Sequence, residues 1–259
     1  MLRAGAHPAF APYARWLTAD ATPPPLDALN GWATDAALAL PDGRPLRFVA
    51  APARLPSALA YERRIARRAE IAIRAGSVHD ICNALVWLAF PRTKAALNAA
   101  HVVAARAPTP NARDRRRDAA TLLDESGLIV ACADAPLIAA WLGRRWRDAF
   151  GERTRAGERV LAAVVVGHGL LAKLAAPFRA ITGHALVLSL DAASLPEAPA
   201  ALAAALDAGA ARAIVARGTS WSPRDLPPLP VAALPGWDAE QLGLRLFDDV
   251  SVFRPRVLR

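Results

Sequence analysis

The stretch "VHDICNALVWLAFPRTKAALNAAH", Val78 to His101, has the composition of a core helix and yet carries His79, Asp80, Asn83, Lys94, Asn98 and His101. Its reading decides the fold, because polar groups on an apolar cylinder must face either water or one another. Ser77 followed by Asp80 is S-x-x-D ahead of an apolar run, the signature of a capping box, and predicts a helix from Val78 through Trp87. Pro91 lacks a backbone donor and disfavours helical geometry at Phe90, so the helix either kinks or restarts there with Pro91 in a first turn. His79, Asn83 and Trp87 are spaced i, i+4, i+8; Lys94, Asn98 and His101 are spaced i, i+4, i+7. Each half thus carries a narrow polar stripe on one face.

Outward from this stretch the chain alternates short elements. The arm 1–56 is proline-rich and irregular, with a loop feeding a short helix in "TADATPPPLDALNGW" and a turn at Asp42–Gly43 before a strand in "LPDGRPLRFVA". "YERRIARRAEIAIRAG" fits a helix or a strand, with Arg63, Arg64, Arg67 and Arg68 on a charged face. "ATLLDESGLIVACAD" reads as a β-hairpin turning at Asp124–Gly127, with Gly127 at positive φ. Helices are expected in "APLIAAWLGRRWRDAF", "TRAGERVLAAVVVGHGLLAKLAAPF" and "PEAPAALAAALDAGA", and strands in "HALVLSLD" and "RAIVARG". Trp221, Trp237, Phe247 and Phe253 should anchor a long proline-rich C-terminal tail on the body. The fold class is α+β: a mainly helical single domain with a hairpin and a few short strands, 57–259 forming the main part and the structural unit extending over 1–259.

Composition bounds the function. The 259 residues are 54% hydrophobic and 21% charged, enough to bury a sizeable core. The most apolar run, 160–178, is interrupted by His168 and Lys173 and falls short of the roughly 18 residues that suggest a membrane span. The start shows no signal-peptide pattern, and Cys82 and Cys132 lie in no CxxC arrangement, so reduced thiols and a cytoplasmic setting are expected. The net charge of +9 is carried almost wholly by arginine, Lys94 and Lys173 being the lysines, which GC-rich coding explains as well as nucleic-acid binding does.

"HDICNALVWLAFPRTKAALNAAH", "RRRDAATLLDESGLIVAC" and "GHGLLAKLAAPF" together resemble a bacterial family known as a domain of unknown function, from about Tyr61 to the C-terminal "VFRP". The resemblance implies aromatic residues where Val78 and Cys82 stand here. It implies no activity.

Each polar feature has a sharp and a plain account. His79–Asp80 resembles the pair in HD-type metal phosphohydrolases, but the earlier histidine such a set needs is available only as His7; a helix cap is the plain account. His101 and His168 are metal ligands, a general base, or hydrogen-bonded core histidines. Gly167 and Gly169 around His168 would permit close approach of a helix or a ligand. "RDRRRD", Arg113 to Asp118, is a phosphate-binding fork or a solvated loop, with Asp118 turned inward. Buried polar groups should find each other, since one without a partner costs on the order of 1–3 kcal/mol.

The leading expectation is therefore a cytoplasmic enzyme, a metal-dependent hydrolase, with His79, His101, Asp118 and His168 catalytic. A divalent metal ion would sit on His101, His168 and Asp118, with His168 and His101 close together beside Asn98 or Asp118. Asn83, Lys94, Asn98 and Arg117 would bind a small-molecule or phosphate-bearing substrate. The rivals are a nucleic-acid-binding protein using the arginine clusters and a structural or assembly module without catalysis.

Overall fold

The computed structural model describes residues 7–17, 22–53, 57–104, 115–151, 159–238, 240 and 242–255. Ser77 accepts a hydrogen bond from the Asp80 backbone and starts helix α3, Val78–Ala89. Phe90 leaves helical geometry, and α4, Pro91–Ala104, begins at once, so the proline restarts the helix rather than kinking it. The carboxylate of Asp80 does not complete the capping box. It turns instead to the backbone N–H, Nε and Nη2 of Arg74 at 2.8, 2.9 and 2.7 Å.

The ambiguous segment before α3 is both helix and strand: α2 is Ala58–Arg68 and β2 is Glu70–Ile73, with Ala69 in the left-handed region between them. β2 pairs in parallel with β1, Arg47–Ala50, while α1, Leu26–Asp35, precedes β1. Gly43 takes a positive φ in the turn ahead of β1, as its place after Asp42 predicts. From the N-terminal arm, Phe10, Tyr13 and Trp16 lie in the same core as the helices.

A second sheet has the order β4–β3–β5–β6. β3, Gly127–Ala131, is buried along its length, parallel to β5, Thr182–Leu188, and antiparallel to β4, Ala162–Val165. β6, Pro228–Pro230, pairs with β5 at the edge, where prolines are tolerated. Trp221 and Phe253 are buried, and Trp237 and Phe247 pack against the core, so the tail is anchored as expected. The architecture is α+β and mainly helical.

Three local expectations are overturned. No hairpin turns at Asp124–Gly127: those acids end α5, Arg115–Ser126, and the chain passes directly from Ser126 into β3. Gly127 does not have a positive φ; it is glycine because a Cβ there would lie 2.1 Å from the Leu123 carbonyl oxygen. α6, Ala135–Leu142, and α7, Trp146–Phe150, follow β3. Within 154–178, where the sequence suggests one helix, Ala162–Val165 is a strand and, among the described residues, only α8, His168–Lys173, is helical, 152–158 lying outside them. β-branched Val164, Val165 and Val166 favour the strand. "RAIVARG" is not a strand either, because it forms the end of α9, Pro199–Arg217.

By length and composition α9, continued to Ser220, could cross a membrane. In this fold it packs along α4, and its Asp207 carboxylate accepts from the backbone N–H groups of Arg92 and Thr93 at the start of α4. A helix N-terminus, with its unsatisfied donors and positive dipole end, suits a carboxylate there.

Candidate functional site

The two polar stripes of the opening stretch face one polar cluster, part buried and part open. On α3, His79 meets α8, and Asn83 donates to the Tyr61 hydroxyl of α2 at 2.6 Å. On α4, Lys94 donates to Asp124 Oδ1, and its ammonium stands 5.5 Å from the centre of the Trp87 ring. Asn98 donates to Glu62, to its backbone carbonyl at 2.9 Å and to Oε2 at 2.7 Å. His101 joins Glu62 and Asp124 in an inner trio whose potential ligand atoms lie within 4.8 Å of one another.

A second, outer trio is His79, Glu125 and His168. The Nε2 atoms of the two histidines are 3.0 Å apart, and Glu125 Oε1 lies 3.4 Å from His168 Nε2 and 3.9 Å from His79 Nε2. The junctions of the chain build this geometry. Val166 and Gly167 both donate to the Gly127 carbonyl at 2.9 Å, which lays the β4–α8 turn across the α5–β3 junction. A Cβ at Gly167 would fall 2.2 Å from the Gly127 nitrogen, and one at Gly169 would fall 2.6 Å from Glu125 Oε2. The glycines flanking His168 therefore serve the close approach that presses it onto α5.

The outer trio opens on a cavity of about 530 Å³, whose lining includes Tyr61, Glu62, Arg74, Asn83 and Asp124. The side chains of His79 and Glu125 are 41% and 49% exposed, whereas that of His168 is 7% exposed. His168 thus reaches the cavity from the protein side, and its two partners close the trio from the open side. A larger groove of about 770 Å³ between α4 and α9 is lined mostly by alanines and holds no acid, histidine or thiol.

The electrostatics differ between the trios. Burial, with the His168 ring beside it, holds the His79 imidazole below its usual range. The contact with His168 holds the Glu125 carboxyl low. Burial drives Asp124 upward, but the Lys94 ammonium, with His168 and His101 beyond it, outweighs burial and keeps the carboxyl below its usual range. Burial pushes Glu62 up against the opposing pull of His101, and it pushes the Tyr61 hydroxyl well above 10.0, so Tyr61 stays a donor. The Cys82 thiol is pushed up to about 12 by burial, which suits a small core hydrophobe.

Not every expected residue joins. Asp118 sits half-buried in the first turn of α5 and belongs to neither trio. It stands six positions before Asp124, about 240° around a helix of 3.6 residues per turn, so the two cannot share a face. The metal set His101, His168 and Asp118 is divided accordingly: His168 lies in the outer trio, His101 in the inner one. His168 pairs with His79 rather than His101, and the link to His101 runs through Asp124, whose Oδ1 is 3.8 Å from His168 Nδ1. Lys94 is buried against Asp124, Arg117 is exposed, and neither lines the cavity, where the cation is Arg74. Of the arginine clusters, Arg64 pairs with Glu70 at 2.6 Å, and Arg113 lies outside the described residues.

Tyr61 and Glu62 are members of the site that the sequence reading misses, and Asp124 and Glu125 are ones that it places at a turn among the polar groups. For α2 a signal exists: Ala58, Tyr61 and Ile65 recur at helical spacing, which turns Glu62 toward the same side. For α5 the helix continues Leu122, Leu123 and Asp124 straight to Gly127, where Ser–Gly has the look of a turn.

The matched family model, described as "Protein of unknown function (DUF3025)", covers residues 46–257. The chain belongs to this family. The match takes in β1 and every member of both trios, and it begins ahead of Tyr61, where the resemblance read from the sequence begins. No curated protein and no solved structure matches the chain.

Proposed function

We propose that this DUF3025 protein is a metal-dependent hydrolase whose metal ligands are His79, Glu125 and His168. One observation carries the reading. The circle through the two Nε2 atoms and Glu125 Oε1 has a radius of about 2.0 Å, calculated from separations of 3.0, 3.4 and 3.9 Å, and this is the length of zinc–imidazole and zinc–carboxylate bonds. Two histidines and one glutamate facing a cavity are the donor set of catalytic rather than structural zinc, which keeps one position open. A divalent ion held there would supply a Lewis acid and lower the pKa of a water it binds.

The chain's own residues supply the rest. Tyr61, kept protonated by burial, offers its hydroxyl as a donor to a developing negative charge. Glu62, raised by burial on the same cavity, is suited to take up and return a proton. Arg74 is 66% exposed at its side chain while it pairs with Asp80, and can meet an anionic group of a small or phosphate-bearing substrate.

The test is metal content and titration. Purified protein should bind zinc at one equivalent, and His168→Ala should weaken that binding by at least a hundredfold. Wild-type protein that takes up neither zinc, manganese nor iron ends the reading. The same donor set also serves iron(II) oxygenases, so retention of iron with consumption of oxygen would keep the metal site and overturn the hydrolase.

A further inference from the structure

We propose that Lys94 and Asp124 are positioning residues for His168, and that Asp124 accepts the Nδ1–H of that ring when Nε2 binds a metal. The inference rests on the metal reading of the outer trio and adds the residues that hold its deepest ligand.

His168 uses only one of its nitrogens in the outer trio. Nε2 faces His79 and Glu125, while Nδ1 is sealed from solvent and has no hydrogen-bond partner among the described residues. A metal on Nε2 takes the lone pair there, so a neutral ring must carry its proton on Nδ1. Metal-bound histidines almost always give that proton to a carboxylate or a carbonyl, which fixes both tautomer and orientation. The carboxylate that faces Nδ1 is Asp124, with Oδ1 3.8 Å away. That is about 1 Å beyond hydrogen-bond length, a gap that a small change in ring tilt closes.

Asp124 can serve only if it stays in place, and Lys94 holds it there. The two side chains are 4% and 12% exposed, and the ammonium donates to the same Oδ1 that faces His168. Lys94 comes from α4, Asp124 from α5 and His168 from α8, so the relay joins three helices at one point. The same ammonium argues against a second metal in the inner trio of Glu62, His101 and Asp124. A cation supplied by the chain already occupies the carboxylate.

The experiment measures zinc and cobalt(II) dissociation constants by chelator competition in wild type, Asp124→Asn and Asp207→Ala, with melting curves of the metal-free proteins. Asp124→Asn should lose 10–100-fold in metal affinity and shift the visible cobalt band. Asp207→Ala, a buried acid remote from the trio, should lower the melting temperature and keep wild-type affinity. Asp124→Glu should recover part of the loss. If Asp124→Asn melts lower but binds metal as wild type does, Asp124 is structural and the proposal fails, while the metal site stands. Nitrogen-15 spectra of zinc-loaded wild type test the same point without a substitution: His168 must show a hydrogen-bonded proton on Nδ1, and its absence overturns the proposal. A wild type that binds no metal, or a His168→Ala variant that binds it unchanged, removes the underlying reading instead.

Discussion

Asp207 and Asp124 are both buried acids on helices that pack against α4, and their surroundings have little else in common. Asp207 meets the start of α4, where Oδ1 and Oδ2 accept backbone N–H groups at 2.7 and 3.1 Å and the Thr93 hydroxyl donates to its carbonyl at 3.3 Å. Around Asp124 the side chains are paired with one another, and buried atoms remain over: His168 Nδ1, Asn83 Oδ1 and Trp87 Nε1 have no hydrogen-bond partner among the described residues. A fold that only needed to bury acids would treat both alike. Unsatisfied polar groups cost stability, and two of these atoms, on His168 and Asn83, belong to residues that line the cavity beside His79 and Glu125, which supports the ligand site proposed above.

The largest expected effect tests how the crowded region is assembled. Gly167→Ala puts a methyl 2.2 to 2.7 Å from the backbone of Ser126 and Gly127, atoms that cannot swing aside. The β4–α8 turn must then leave the α5–β3 junction, at a cost on the order of 3 kcal/mol or more, and His168 should leave Glu125 with it. Thermal melting and zinc titration should both fall. Gly31 is the counterpart: it lies exposed inside α1, and a methyl there meets nothing within 4 Å. Gly31→Ala should raise stability by roughly 0.5–1 kcal/mol. A Gly167→Ala protein that binds zinc normally would show that the close approach does not build the trio.

Asp207→Ala removes the acceptor from the start of α4 and should cost about 1–2 kcal/mol, the usual worth of a capping side chain. Because Lys94, Asn98 and His101 ride on α4, the comparison sharpens if the melting temperature drops while zinc binding is untouched. A parallel loss of metal affinity would join the two regions into one unit.

How much of this is legible in the sequence follows from the range of each interaction. The Ser77 cap, the Pro91 restart and the two stripes depend on residues within one or two turns, and each stands in the fold much as its spacing predicts. The Ser126–Gly127 turn fails because a glycine demanded by contact with Leu123 looks, in sequence, like one demanded by positive φ. The sequence pairs His168 with His101 because both are buried histidines in search of partners. What assigns it to His79 is the packing of α8 on α3, a contact 89 residues apart that no local pattern encodes. Asp118 and Asp124 differ by a helical phase that is readable only once α5 is known to be one helix.

The smallest effect concerns Glu62, the acid whose state separates the two kinds of burial most finely. Burial raises its carboxyl above the usual value, while its neighbour His101 pulls the other way. A group with a raised folded pKa binds a proton more tightly in the folded protein than in the unfolded chain. Its contribution is therefore fully present below the unfolded value, near 4.3 for glutamate, and is lost as pH rises through the folded value. At pH 7 Glu62 is then a net burden on the fold, whereas a glutamine side chain in its place would keep an oxygen for the Asn98 donor without the charge. Glu62→Gln should leave the melting temperature at pH 4 nearly unchanged and raise it by a few degrees at pH 7, so that the pH dependence flattens. A fall at pH 7 would mean that the carboxylate is ionised and held by its neighbours. The inner trio would then be a satisfied ion pair, closer in kind to the Asp207 contact than to the unsatisfied site beside it.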